Sequence, residues 1–118
     1  MQQPPVTPAQ QEQMDAYVEA LARHPFANAP PSIAPDLLAL LARQGRVVRV
    51  GDVVFEARTY AHLADEVIAR LRERGTIGVD DVREMVNGNR KYAMALLERL
   101  DQEKVTRRLG GGARALAE

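Results

Sequence analysis

The stretch from Val79 to Leu116 constrains the fold of this chain more than any other part of it. Apolar spacing predicts a short helix over VDDVREMV, a tight turn at NGN and a longer helix over RKYAMALLERLDQEK. A β-hairpin is predicted over VTRRLGGGARAL, where two short strand-like runs flank three glycines. Helix, turn, helix and hairpin in this order form the second half of a winged helix-turn-helix, so the sequence predicts that fold here.

The residues before this stretch supply the missing first helix. Residues 58–74 carry apolar side chains three and four apart and end at Gly75, which indicates a helix and its C-terminal stop. Residues 76–78 are long enough only for a short strand or bridge. We therefore predict a second winged-helix domain over residues 58–118.

The N-terminal part is predicted to form a smaller unit with related elements. Helices are predicted over residues 9–23 and 36–44, and two β-branched runs around Gly51-Asp52 predict a hairpin. The connection between the two helices is short and rich in proline, so it leaves no room for a third helix. We predict a compressed first winged-helix-like unit over residues 9–57.

A weak internal repeat supports two related units in tandem. A leucine-rich helix, a β-branched run, a turn and a strand occur twice, about 58 residues apart. The predicted fold class is mainly α with small β-hairpins, an α+β arrangement of tandem winged helix-turn-helix domains. Residues 1–8 contain three prolines among glutamines and are predicted to be a disordered tail.

The charge of the chain gives no support to a strongly electrostatic nucleic-acid binder. Its 118 residues have a formal net charge of zero. Residues 1–74 carry 8 basic and 9 acidic side chains, and residues 75–118 carry 8 and 7. A basic surface therefore has to arise from the local placement of charged residues.

The residue types argue against catalysis and against several kinds of site. There is no cysteine, which excludes disulfides and thiolate metal sites, and the two histidines, His24 and His62, lie in different predicted elements. The phosphate-binding pattern GxxxxGK[ST] is absent from the sequence. We expect no enzymatic activity, no cofactor and no metal in this chain. We also expect a cytoplasmic protein that does not enter a membrane, because neither a long apolar run nor a signal-peptide pattern occurs.

The start of the longer helix in the second unit is the sharpest candidate site. Asn89 is predicted to cap that helix, and Arg90 and Lys91 open it where the helix dipole disfavours cations. Solvated surface charge would explain such a pair in an ordinary helix. At the start of a recognition helix, however, it favours contact with the phosphates of a nucleic acid.

Three further cations, Arg107, Arg108 and Arg114, are predicted on the hairpin strands. Arg107 and Arg108 are adjacent and point to opposite faces of a regular strand, so at most one can join a given surface. Phosphate contact and protection of a strand edge are equally good explanations of this pair. Tyr92 could stack on a base or pack in the core, and a base could lie in a pocket walled by Asn89, Tyr92 and Arg108.

Residues 89–116 resemble the last winged-helix domain of the bacterial selenocysteine-specific translation elongation factor. That domain typically has a small residue before RKY, an apolar stretch ending in LLE-x-LD, a T-R-R wing and a final arginine. The resemblance continues more loosely from about residue 14. The matching residues here are Asn89, Arg90-Lys91-Tyr92, Leu96-Leu97-Glu98, Leu100-Asp101, Thr106-Arg107-Arg108 and Arg114.

The resemblance implies the role of an RNA-binding anchor. In that family an N-terminal GTPase carries selenocysteinyl-tRNA to the ribosome, and the C-terminal winged helices hold an mRNA hairpin beside a UGA codon. This chain would be the anchor alone, a monomer that binds the mRNA stem-loop and reaches the ribosome and the tRNA through the GTPase part. The RNA-binding residues it implies are Asn89, Arg90, Lys91, Tyr92, Arg107, Arg108 and Arg114.

Two other functions are compatible with the sequence. A winged helix of a transcription regulator would place the same helix in the major groove of DNA. A winged helix that binds only another protein would suit the zero net charge. Preference for a stem-loop over duplex DNA separates the RNA-binding anchor from the transcription regulator. Any salt-sensitive RNA affinity excludes the winged helix that binds only another protein.

Overall fold

The structure is a computed structural model that describes residues 6–117. It contains helices and two small antiparallel hairpins, which confirms the predicted α+β class. Part of the predicted N-terminal tail, residues 1–5, lies outside the described residues. In chain order the elements are α1 (Pro8–Arg23), α2 (Pro35–Arg43), β1 (Val47–Val50), β2 (Val53–Glu56), α3 (Ala57–Arg74), α4 (Val79–Met85), α5 (Arg90–Gln102), β3 (Thr106–Arg108) and β4 (Arg114–Leu116).

Local sequence signals explain where the first helices begin. Thr7 caps α1 through a capping box, because its hydroxyl accepts from the Gln10 amide at 3.1 Å while its own amide donates to the Gln10 side chain at 3.1 Å. Pro35 occupies the first turn of α2, where its missing N–H costs no helical hydrogen bond. As predicted, residues 24–34 between the two helices form no helix.

The second helix group has equally clear boundaries. The Glu56 carboxylate caps α3 by accepting from the amides of Arg58 and Thr59 at 2.9 and 3.1 Å. Gly75 ends α3 with φ of 84°, a backbone conformation that favours glycine. Ile77 then pairs with Arg114 through two backbone hydrogen bonds of 3.0 and 2.8 Å, so the predicted bridge forms beside the wing hairpin.

The hairpin of β1 and β2, called the first hairpin below, contributes side chains to two hydrophobic clusters. Val47 on β1 packs with the apolar faces of α1 and α2. Val50, Val53 and Phe55 belong instead to the larger cluster formed by α3, α4 and α5. The hairpin therefore connects both cores, and the boundary predicted between residues 57 and 58 follows the order of elements rather than a gap in the packing.

The spacing of the apolar residues in α5 predicts a core face formed by Ala93, Met94, Leu96, Leu97 and Leu100, and the structure largely confirms it. Ala93, Leu96, Leu97 and Leu100 are buried in the larger cluster. Met94 was expected on the same face, but it is only half-buried in the structure. The helical spacing places it at the edge of the apolar stripe, where the packed surface ends.

Candidate nucleic-acid interface

The start of α5 combines a side-chain cap with two exposed cations. The Asn89 side-chain oxygen accepts from the Lys91 amide at 3.1 Å, so the predicted cap is confirmed. Arg90 and Lys91 are exposed, and the first turn of α5 contains no acidic residue. Unpaired N–H groups and two cations therefore meet at one point, which raises the local positive potential.

Within residues 79–103, which span α4 and α5, five of the six acidic residues are paired with arginines, and Glu98 takes part in no ion pair. One ion pair lies within α4, two connect α4 to α3, and two lie at the C-terminal end of α5. Four of the pairs are exposed and contribute little to stability, whereas Asp101–Arg114 is buried. Each pair places an acidic group beside a base, so their charges cancel locally. The five pairs are Asp80–Arg83 at 3.8 Å, Asp81–Arg74 at 3.5 Å, Glu84–Arg70 at 4.0 Å, Asp101–Arg114 at 3.1 Å and Glu103–Arg99 at 3.4 Å.

Four cations of α5 and the wing are left after these ion pairs are set aside, and they are suited to bind an external anion. Within residues 6–117, Arg90, Lys91, Arg107 and Arg108 take part in no ion pair. All four are exposed. The second unit thus has local positive surface in spite of the zero net charge of the chain.

The wing, which is the hairpin of β3 and β4, has its two adjacent arginines on opposite faces. β3 and β4 pair with Arg107 opposite Ala115 and Arg108 opposite Arg114. Arg108 therefore shares a face with Thr106 and Arg114, both of which contact Asp101 on α5. We call Arg90, Lys91 and Arg108 the basic surface, since all three lie on α5 or on the wing face turned toward α5.

Arg114 is placed differently from the other cations. It is 2% exposed, and its Nε donates to both Asp101 carboxylate oxygens at 3.1 Å. Its Nη1 donates to the Gly112 carbonyl, and the Thr106 hydroxyl donates to Asp101 at 2.6 Å. The predicted position on the strand is correct, but the guanidinium holds the wing against α5 and has no open path to a phosphate.

Tyr92 packs in the core, which was one of its two predicted roles. Its ring is 4% exposed and lies edge-on to Phe26 and Phe55, with centroid distances of 5.8 and 5.7 Å. The hydroxyl donates to the Ala27 carbonyl at 3.3 Å. Burial raises the pKa of Tyr92, so the phenol is a neutral donor at pH 7. In this position the ring presents no face on which a base could stack.

The connection between α1 and α2 contacts the start of α5, which the sequence did not predict. The Asn89 side-chain nitrogen donates to the Phe26 carbonyl at 3.2 Å and to the Asn28 side-chain oxygen at 3.3 Å. Together with the contacts of Tyr92, these bonds fix residues 26–28 on the N-terminus of the helix. The signal in the sequence was Phe26, a large apolar residue within a proline-rich segment.

Asn89 therefore has two roles that substitutions can separate. Asn89→Ala removes the cap and the link to residues 26–28, and we expect it to lower the free energy of unfolding by about 1–2 kcal/mol. Asn89→Ser retains a capping oxygen and loses the side-chain nitrogen that donates to the Phe26 carbonyl and the Asn28 side chain, so a loss of about 0.5–1 kcal/mol is expected. Urea unfolding of both variants measures these two losses in the free energy of unfolding. Equal losses would show that the cap contributes nothing beyond the link.

No described helix is both long enough and apolar enough to cross a membrane. The described residues also contain no group of three or more histidine or acidic side chains arranged to hold a metal ion.

Sequence comparison relates the second unit to a family of translation factors. Residues 69–114 match the profile described as "Elongation factor SelB, winged helix". Over 78 residues, 63% of this chain, the sequence is 33% identical to a selenocysteine-specific elongation factor from Desulfomicrobium baculatum. The match spans 12% of the length of that protein.

Structural comparison gives the same assignment for the fold. The chain is similar to the mRNA-binding domain of elongation factor SelB from E. coli, a structure solved in complex with SECIS RNA. The TM-score is 0.67 at 21% identity, and the alignment covers 95% of this chain and 100% of that domain. The resemblance to the C-terminal winged-helix region of selenocysteine-specific elongation factors is thus confirmed: residues 69–114 match a winged-helix model of the elongation factor SelB family, and the structural similarity shows the winged-helix fold.

Proposed function

We propose that this chain binds an mRNA stem-loop and anchors a selenocysteine-specific elongation factor beside a UGA codon. The observation that carries the proposal is the pair of exposed cations, Arg90 and Lys91, at the start of the recognition helix. The relative from D. baculatum, named as such an elongation factor, and the similar E. coli domain, solved with SECIS RNA, support it.

The basic surface would hold the stem through its phosphates. Arg90, Lys91 and Arg108 neutralise backbone charge and fix the register of the RNA without reading its sequence. Sequence is read at the loop, because the major groove of an A-form stem is too narrow for side chains. Asn89, Tyr92 and Arg114, whose side chains make the internal contacts described above, act in this proposal by positioning the helix and the wing.

The remaining functions of such a factor are assigned to residues outside this chain. A GTPase part would carry selenocysteinyl-tRNA and contact the ribosome, and the whole factor would act in the cytoplasm. Within this chain we propose units over residues 9–57 and 58–118, acting as a monomer without a cofactor.

Salt dependence of RNA affinity tests the basic surface. We expect log affinity for the stem-loop beside the UGA codon of a selenoprotein message from the same organism to fall linearly with log salt concentration. Arg90→Ala/Lys91→Ala should flatten the slope by about 1–2, the loss of two phosphate contacts, and weaken all hairpins alike. The variant should remain folded, since removing cations from a helix N-terminus relieves an unfavourable dipole interaction.

The matched control removes two exposed arginines of the first unit, Arg43 and Arg49. Arg43→Ala/Arg49→Ala changes the net charge equally and should leave the slope unchanged. A loop-scrambled hairpin and a duplex DNA of equal length complete the titration. Equal binding of the DNA would favour a transcription regulator, and parental affinity and slope in Arg90→Ala/Lys91→Ala would exclude the start of α5 as the RNA surface.

A further inference from the structure

A second basic feature lies away from the basic surface. A hollow of about 510 Å³ opens between the last turn of α3 and the wing. Its walls come from two elements that are distant in sequence, and each element contributes one arginine. The lining residues are Leu71, Arg72, Gly75, Arg107, Ala115 and Leu116.

Neither arginine of this hollow has a partner within residues 6–117. No ion pair or side-chain hydrogen bond of Arg72 or Arg107 occurs there, and both are exposed. The helix positions three and four residues from Arg72 hold Ile68, Ala69, Gly75 and Thr76, none of them acidic. Arg107 lies opposite Ala115 across the wing.

Two like charges in one hollow repel each other unless an anion lies between them. The dipole at the C-terminal end of α3 favours a cation such as Arg72, which accounts for one of the pair. It does not account for Arg107, which approaches from the wing. Each guanidinium has five N–H donors in a planar fork that matches the oxygens of a phosphate.

We propose that this hollow binds a phosphodiester group of the single-stranded RNA that flanks the stem-loop. The inference rests on the proposed function, because the stem-loop must first be held by the basic surface. The hollow is concave, so a flexible strand can turn a phosphate into it more readily than the rigid backbone of a duplex can. Arg107 lies on the wing face opposite Arg108, so the wing separates the flanking strand from the stem.

The test compares two RNA probes that share one hairpin. The first is the minimal stem-loop, and the second carries a single-stranded extension of about ten nucleotides at each end. An extension of this length spans a typical binding site for single-stranded nucleic acid. The extension should steepen the salt slope of the wild-type protein by about 0.7, which is one phosphate contact on a single strand. In Arg72→Gln/Arg107→Gln the extension should change neither slope nor affinity, and binding of the minimal hairpin should stay at the wild-type level.

Two further variants separate geometry from net charge. Arg72→Lys/Arg107→Lys retains the charge but not the forked donors, so it should recover only part of the gain from the extension. Arg43→Gln/Arg49→Gln removes equal charge elsewhere and should keep the full gain. Wild-type binding of the minimal hairpin with no gain from the extension would overturn this inference alone. Failure of the wild type to bind any hairpin would overturn the proposed function and this inference with it.

Discussion

Replacing Asp101 with alanine is expected to lower the free energy of unfolding by about 3–5 kcal/mol, among the largest effects of any single substitution in this chain. The Arg114 side chain is 2% exposed, so the substitution leaves a buried guanidinium without a counter-ion. It also removes the acceptor of the buried Thr106 hydroxyl. Urea unfolding followed by circular dichroism measures the loss.

A matched acidic residue on the surface provides the control. Asp80 also pairs with an arginine, but its side chain is 95% exposed. Asp80→Ala should change stability by no more than about 1 kcal/mol, because a solvated pair contributes little. Similar losses in Asp101→Ala and Asp80→Ala would contradict the buried network described above.

Removing both members of the buried pair should recover part of the loss. In Asp101→Leu/Arg114→Met apolar side chains of comparable volume replace the pair, and no uncompensated charge remains. We expect this double variant to be more stable than Asp101→Ala. Its RNA affinity should still fall, since the wing that carries Arg108 loses its bonds to α5.

The wing illustrates why sequence predicts elements better than the roles of their residues. The glycines and β-branched residues were enough to place a hairpin, and the alternation of a strand was enough to separate Arg107 from Arg108. The same alternation could not distinguish Arg108 from Arg114, which lie opposite each other on one face. Their different exposure depends on where Asp101 lies in space, and only the packing of α5 against the wing determines that.

The start of α5 shows a second limit of the same kind. The cap at Asn89 and the two cations after it follow from local rules, because a cap is made by residues within one helical turn. The roles of Tyr92 and of residues 26–28 depend on contacts more than 60 residues apart in sequence, such as Asn89 with Phe26. No periodic pattern encodes such a contact, so the sequence left the position of the connection open.

The first hairpin has a consequence for how the two units unfold. Val47 lies in the smaller core, whereas Val50, Val53 and Phe55 lie in the larger one. Loss of the larger core would remove the packing of these three side chains and expose one side of the hairpin to water. The smaller core would then lose its support from Val47, so we expect the two units to unfold together.

Replacing Leu97 with alanine tests both the core and this coupling. Leu97 is fully buried in the larger cluster, so we expect a loss of about 2–5 kcal/mol in the free energy of unfolding. Leu109→Ala is the control, because that side chain is only half-buried and should cost less than about 1 kcal/mol.

Methionine methyl groups report on each core separately in an NMR titration with urea. Met14 is buried in the smaller core, and Met85 packs against the larger one. In Leu97→Ala both signals should disappear at one urea concentration, lower than in the parent, because the shared hairpin makes unfolding cooperative. If Met85 lost its native signal while Met14 kept it, the units would be independent. If Leu97→Ala unfolded at the parental urea concentration, the assigned core face of α5 would be wrong.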